Sequence, residues 1–221
     1  MPKKISFFKK AWSFIMPVLV QKVNSQYSPD VELVLFHNQL MLTTPQAMYS
    51  YGTRYAPFNL AFAELIKRKK LHPQNILLLG GALLSALQIL HAKFKMHPSA
   101  TVVELDGKYQ QLVNDYLPSK ITDNITYHHA NAQNFIKNCQ QQFDMIGIDI
   151  FIELAVPAFC LQTQFIQQCH DCLSENGIAI MNTHFKITEE KSNFDDVFAN
   201  VFTDVITLPH GHNYIYIGTK K

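Results

Sequence analysis

Four short stretches carry polar or flexible residues to the ends of apolar runs, the positions where open α/β sheets bind ligands. In NILLLGGALLS, Gly80, Gly81 and Ala82 close a run of leucines. Glycine permits a tight turn and lets a ligand approach the backbone, although a plain strand-to-helix turn would use the same residues. In TVVELD, Glu104 follows Gly80 by 24 residues, the spacing at which a carboxylate can accept hydrogen bonds from both hydroxyls of a ribose. In HHANAQNF, Asn131 and Ala132 stand where an amide can read an adenine edge, or where the same amide can cap a helix. In FDMIGIDIF, Asp149 can orient or deprotonate an attacking amine, or hydrogen-bond the neighbouring backbone.

A fifth stretch, TPQAMYSYGTRYAPF, is a loop rich in aromatics, and loops are where function concentrates. Its Tyr49, Tyr51, Arg54 and Tyr55 can face a ligand or staple the preceding segment to the main body. No metal site is expected. Cys169-x-x-Cys172 lies in the helical pattern FIQQCHDCL without a second ligand pair, and His128 and His129 alternate on a strand, so at most one faces the crevice.

The elements that must position these residues are legible in the periodicity. From His72-Pro73 onward, short apolar strands alternate with helices, which predicts a Rossmann-like, doubly wound, mostly parallel α/β sheet. DVFANVF, DVITLP and NYIYIGTK add a last helix and two strands, the final pair antiparallel. Residues 17–43 read as a β-hairpin or three-stranded meander, too small to be stable without packing on the rest or on another subunit. The expected division is an N-terminal β-hairpin segment over residues 1–55 and a nucleoside-binding domain over 56–221. A chain of 221 residues suits one such domain with a small appendage.

Composition narrows the partners. The formal net charge is only +2 and the cations are scattered, so no nucleic acid is expected. The run Lys67-Arg68-Lys69-Lys70 ends a helical pattern, where cations complement the helix dipole. Four unevenly spaced cysteines suggest free thiols in a reducing cytoplasm. The N-terminus imitates a signal peptide but lacks a cleavage pattern, and no run reaches the ~18 apolar residues of a membrane span. The exposed apolar run FFKKAWSFIMPVLV points to a homodimer formed through the N-terminal strands. Contact of residues 3–16 with a membrane surface stays open, since basic and aromatic residues mix there.

Taken together, ILLLGG, VVELD, HHANAQNFI, FDMIGIDIF and GIAIMNTH resemble the successive motifs of spermidine synthases and of the class I methyltransferase fold. The resemblance runs over residues 17–219. A segment similar to YSYGTRY also occurs in bacterial spermidine synthase-like proteins, a divergent branch. The resemblance implies that Gly80, Gly81 and Ala82 line the methionine portion of S-adenosylmethionine or its decarboxylated form. Glu104 would then meet the ribose, and Asn131 with Ala132 the adenine. Asp149 would be the catalytic carboxylate, with Tyr49, Tyr51, Arg54 and Tyr55 on the substrate side.

There are departures from that pattern. Ala82 and Leu84 stand where further glycines belong, Asn131 replaces an acidic residue, and IFIELAVP replaces a polar stretch with a second aspartate. Glu153 is the one carboxylate left nearby. The expectation is a methyl or aminopropyl transferase with an unidentified small-molecule acceptor, and not an orthodox spermidine synthase. The alternative is a non-catalytic protein of the same fold acting as a dimeric scaffold. NAD-linked oxidation is set aside, because the full G-x-G-x-x-G is missing.

Overall fold

The computed structural model describes residues 2–221. A short helix, α1 (Phe7–Trp12), is capped by the Ser6 side chain and leads into an antiparallel sheet. That sheet has four strands in sequence order, β1 (Val18–Val23), β2 (Val31–Phe36), β3 (Gln39–Thr43) and β4 (Met48–Ser50). The expected hairpin or meander is therefore larger by one strand. β4 is only three residues long, too short for any periodic signal. His37 and Asn38 make the tight β2–β3 turn with φ of 47° and 57°, the left-handed conformation that two-residue hairpins demand.

The N-terminal sheet shares its core with the rest of the chain. Leu33 and Leu42 are fully buried with Phe58, Phe62 and Leu65 of α2 (Ala56–Lys67), whose apolar residues recur at helical spacing. Each such side chain contributes about 1.5–3 kcal/mol by leaving water. The small sheet is thus held by packing that its own strands could not supply.

Strands and helices then alternate: β5 (Asn75–Leu79), α3 (Ser85–Ile89), β6 (Ser99–Glu104), α4 (Gly107–Tyr116), α5 (Ser119–Thr122), β7 (Ile125–His129), α6 (Ala132–Asn138), β8 (Phe143–Ile148), α7 (Thr163–Asp171), β9 (Leu173–His184) and α8 (Thr188–Val201). β10 (Thr203–His210) and β11 (Asn213–Thr219) complete a seven-stranded sheet of order β10-β11-β9-β8-β5-β6-β7. β5 to β9 are parallel to one another and the final pair β10–β11 is antiparallel, as the sequence pattern predicts, and β11 also runs antiparallel to β9.

β5 illustrates why these strands read as continuous apolar runs. Ile76 and Leu78 enter the core on one face, while Leu77 and Leu79 enter the core on the other. The chain order reverses at β5, which lies between β6 and β8. Gly80 follows one central strand and Asp149 the other, and Asp149 N donates to Leu79 O across 2.8 Å. The crevice at the carboxyl end of the sheet opens there.

Candidate functional site

A cavity of about 380 Å³ occupies this crevice. That volume lies within the range of small-molecule sites. Gly80, Ala82, Glu104, Asn131, Ala132 and Asp149 line it from the main sheet, and Tyr49, Arg54 and Tyr55 from the aromatic loop. Two of the sequence candidates stay outside. Gly81 turns into the protein against Val102, and Tyr51 packs on Phe36 with its backbone N–H donating to Ser85 Oγ at 3.2 Å. Tyr51 therefore acts as a staple between the two parts of the chain.

The loop after β5 keeps a glycine-loop conformation with few glycines. Gly80 has φ of 83°, and a β-carbon there would strike the carbonyl of Asp149. Ala82 and Leu84 also lie in the left-handed region, at 38° and 60°, the two positions where the sequence lacks glycine. What holds them is visible. The Leu84 side chain is fully buried in the core, and Glu104 Oε2 accepts from the N–H groups of Gly81 at 3.1 Å and Ala82 at 3.0 Å.

Glu104 consequently has a role that its position alone did not suggest. Its other oxygen accepts from Asp106 N at 3.1 Å, so three backbone donors converge on one buried carboxylate. Burial pushes its carboxyl upward, and those N–H groups oppose the shift. With these donors engaged, little of the carboxylate's acceptor capacity of about four sites is left for a ligand hydroxyl. Asp106 caps α4 by accepting from Lys108 N at 2.8 Å. Asn131 caps α6, its Oδ1 accepting from Gln133 N and Asn134 N, so only its Nδ2 is free to meet a ligand.

Asp149 stands at the floor of the cavity and is otherwise enclosed by protein. Oδ1 accepts from the Tyr55 hydroxyl at 3.1 Å and from Asn182 Nδ2 at 2.9 Å. Asn182 is oriented in turn by Asn213 Nδ2, which donates to its Oδ1 at 2.8 Å. Enclosure pushes the Asp149 carboxyl up to about 6, the Asn182 and Tyr55 hydrogen bonds pull the other way, and the Glu104 charge adds to the rise. Burial and the neighbouring Asp149 hold the Tyr55 phenol well above its ordinary range, so it remains a donor. The unit is a carboxylate near its titration point, with Oδ1 fixed and Oδ2 without a partner among the described residues.

The sequence reading missed Asn182 and Asn213. Asn182 was accessible to it, since the amide stands near the end of GIAIMNTH, at the carboxyl edge of a strand. Asn213 was not, because its role depends on β11 pairing with β9.

The far wall is built by the segment after Asp149. Ile150, Phe151, Ile152, Leu154, Pro157 and Phe159 line the cavity, and Glu153 is the one carboxylate among them. Glu153, at φ of 53°, is tied to the N-terminal sheet. Its Oε2 accepts from Thr44 Oγ1 at 2.7 Å, and its N–H donates to the Tyr49 hydroxyl at 2.8 Å, which also shares a 2.7 Å bond with Ser28. The wall is apolar, with its carboxylate engaged by protein hydroxyls.

Residues 60–217 match the family described as Spermine/spermidine synthase domain. A polyamine aminopropyltransferase of Vibrio vulnificus is 26% identical over 172 residues, 73% of this chain. The chain spans about half of that relative, 55% of its length. Among solved structures, a probable spermidine synthase from Corynebacterium glutamicum superposes with a TM-score of 0.66 at 18% identity, over 92% of this chain and 80% of the other. Human methyltransferase-like protein 13 in complex with SAH gives a TM-score of 0.59 at 18% identity, over 76% and 82%. At these identities the structures establish a shared methyltransferase-like fold.

Proposed function

Because the chain belongs to the spermine/spermidine synthase domain family, we propose that it is a transferase moving an aminopropyl or methyl group from an adenosyl sulfonium donor to a small acceptor. The observation that carries this reading is the Asp149–Tyr55–Asn182 unit on the floor of a cavity that the adjoining Gly80 turn also lines. The residues present suit such a donor. Gly80 lets it approach the backbone, Glu104 offers an acceptor site to the ribose, and Asn131 and Ala132 line the cavity with Asn131 Nδ2 left free to bond a base. The complex of the human structural neighbour with SAH supports a donor of this kind.

Bound there, the sulfonium donor supplies an electrophilic carbon whose leaving group is a neutral thioether. The chain supplies alignment and a proton acceptor. Tyr55 and Asn182 hold Oδ1, so the free Oδ2 of Asp149 can orient the acceptor's N–H and take its proton as the nitrogen lone pair forms the new bond. A carboxyl titrating at about 6 is ionised at neutral pH, yet basic enough to receive that proton. An intact unit of this kind gives a purely structural role no support.

Putrescine transfer is expected to be weak, because a dication needs several free carboxylates and the wall after Asp149 is apolar with Glu153 engaged. Calorimetry with S-adenosylmethionine, its decarboxylated form, methylthioadenosine and NAD tests the donor site directly. Tight binding of NAD alone would sink the proposal. Rapid conversion of putrescine and decarboxylated S-adenosylmethionine to spermidine would restore a conventional acceptor.

A further inference from the structure

A cluster of exposed apolar residues lies far along the chain from Asp149 and Asn182 of the cavity floor. Phe7, Phe8, Trp12, Phe14, Ile15 and Met16 are all exposed, Phe8 to 83%, and no residue of α1 is buried. Side chains of this size are normally covered in soluble proteins. At 3.6 residues per turn, Phe7, Phe8, Ala11 and Trp12 fall within about 140° of the helix circumference, while Lys9 and Lys10 occupy the opposite side. The helix is amphipathic with its apolar face turned outward.

This orientation is fixed by the fold. Ser13, fully buried, accepts from His37 N at 2.8 Å through its carbonyl and from Asn38 N at 3.1 Å through its hydroxyl. At the other end Lys3 pairs with Asp115 at 2.7 Å. Two anchors therefore clamp the segment to the β2–β3 turn and to α4, and the aromatic face cannot fold inward without breaking them.

Charge selects the occupant. The first 29 residues contain Lys3, Lys4, Lys9, Lys10 and Lys22 and no acidic residue, the first being Asp30. Lys3 is spent on Asp115 and Lys9 on the carbonyl of Leu19, whereas Lys4, Lys10 and Lys22 have no partner among the described residues. We propose that this face docks on an anionic lipid bilayer, with the aromatic residues in the interface and the lysines reaching to the headgroups. A second copy of the chain is the competing occupant. A two-fold interface must be complementary to itself, and this segment offers no acidic residue to the lysines of a copy. Nothing in the docking requires the transferase reading.

Trp12 is the one tryptophan of the chain, so its emission reports this face alone. The full-length protein should show a blue shift and co-sediment with vesicles of phosphatidylcholine plus phosphatidylserine, and do neither with phosphatidylcholine alone. Added salt should reverse the binding. Lys4→Gln with Lys10→Gln should lower partitioning on the order of tenfold, and Phe7→Ser with Phe8→Ser should abolish it while leaving the thermal transition in place. A blue shift that appears without lipid and follows protein concentration, with dimers in sedimentation, would assign the face to a second copy and overturn the proposal. Unchanged emission with both vesicle types would overturn it as well.

Discussion

The Tyr55 hydroxyl donates to Asp149 Oδ1 across 3.1 Å, although the two residues stand 94 positions apart in the chain. One arrives on the loop that leaves the small antiparallel sheet, the other at the end of a central parallel strand. That single bond joins the two parts of the chain at the floor of the cavity, and it lowers the proton affinity of the carboxylate that receives it.

Tyr55→Phe should therefore raise the Asp149 pKa further, from about 6. A base that must be ionised loses activity as pH falls, so the acid limb of the rate profile should move to higher pH, with little change on the alkaline side. Carboxyl NMR of labelled aspartate measures the same shift without any acceptor. An Asp149 titration left where it is in the wild type would separate Tyr55 from the carboxylate.

Asp149→Asn should trade activity for stability. The folded-state pKa of Asp149 is raised, so the folded protein holds this proton more tightly than the unfolded chain and loses stability as pH rises through about 6. Each pKa unit corresponds to ~1.4 kcal/mol, which puts the cost of the ionised carboxylate at no more than about 3 kcal/mol in neutral solution, less what its partial exposure screens. The amide variant should melt several degrees higher at pH 8, and the gap should close toward pH 4. A variant that melts lower at pH 8 would contradict the assignment of burial as the cause.

Much of this arrangement is written in local pattern, and the rest depends on distant pairing. The parallel strands announce themselves because burial on both faces leaves uninterrupted runs such as ILLL and MIGI. The turns after β5, β6, β7 and β8 follow, and with them the positions of Gly80, Glu104, Asn131 and Asp149. Glu104 shows the limit. Its place at a strand end is readable, but its convergence with the N–H groups of Gly81 and Ala82 needs the loop and two strands in three dimensions. Strand β4 escaped because three residues carry no period.

Glu104→Gln tests that bracing role. The glutamine NH₂ must face either the Asp106 N–H or the pair from Gly81 and Ala82, leaving donors opposed in a buried site. A loss of about 1–3 kcal/mol is expected, read as a lower denaturation midpoint with no ligand present. Unchanged stability with weakened nucleoside binding would return Glu104 to a purely ligand-binding role.

Ala82→Gly should act in the other direction. Alanine at φ of 38° carries left-handed strain that glycine lacks, partly offset by the greater freedom of glycine in the unfolded chain. A gain of up to about 1 kcal/mol is expected in chemical denaturation. A clear loss would mean that the methyl group's packing outweighs the strain.

The link from Asn213 through Asn182 to Asp149 bears on how the protein is made. β11 follows every other strand of the described residues, yet it lies between β9 and β10 and supplies the amide that fixes Asn182. A nascent chain still held at the ribosome can pair β5 with β6 and β8, but Asp149 lacks this outer support until β11 emerges and inserts. Completion of the Asp149 floor therefore waits on residue 213, and a chain that stalls before it carries that floor in an unfinished form.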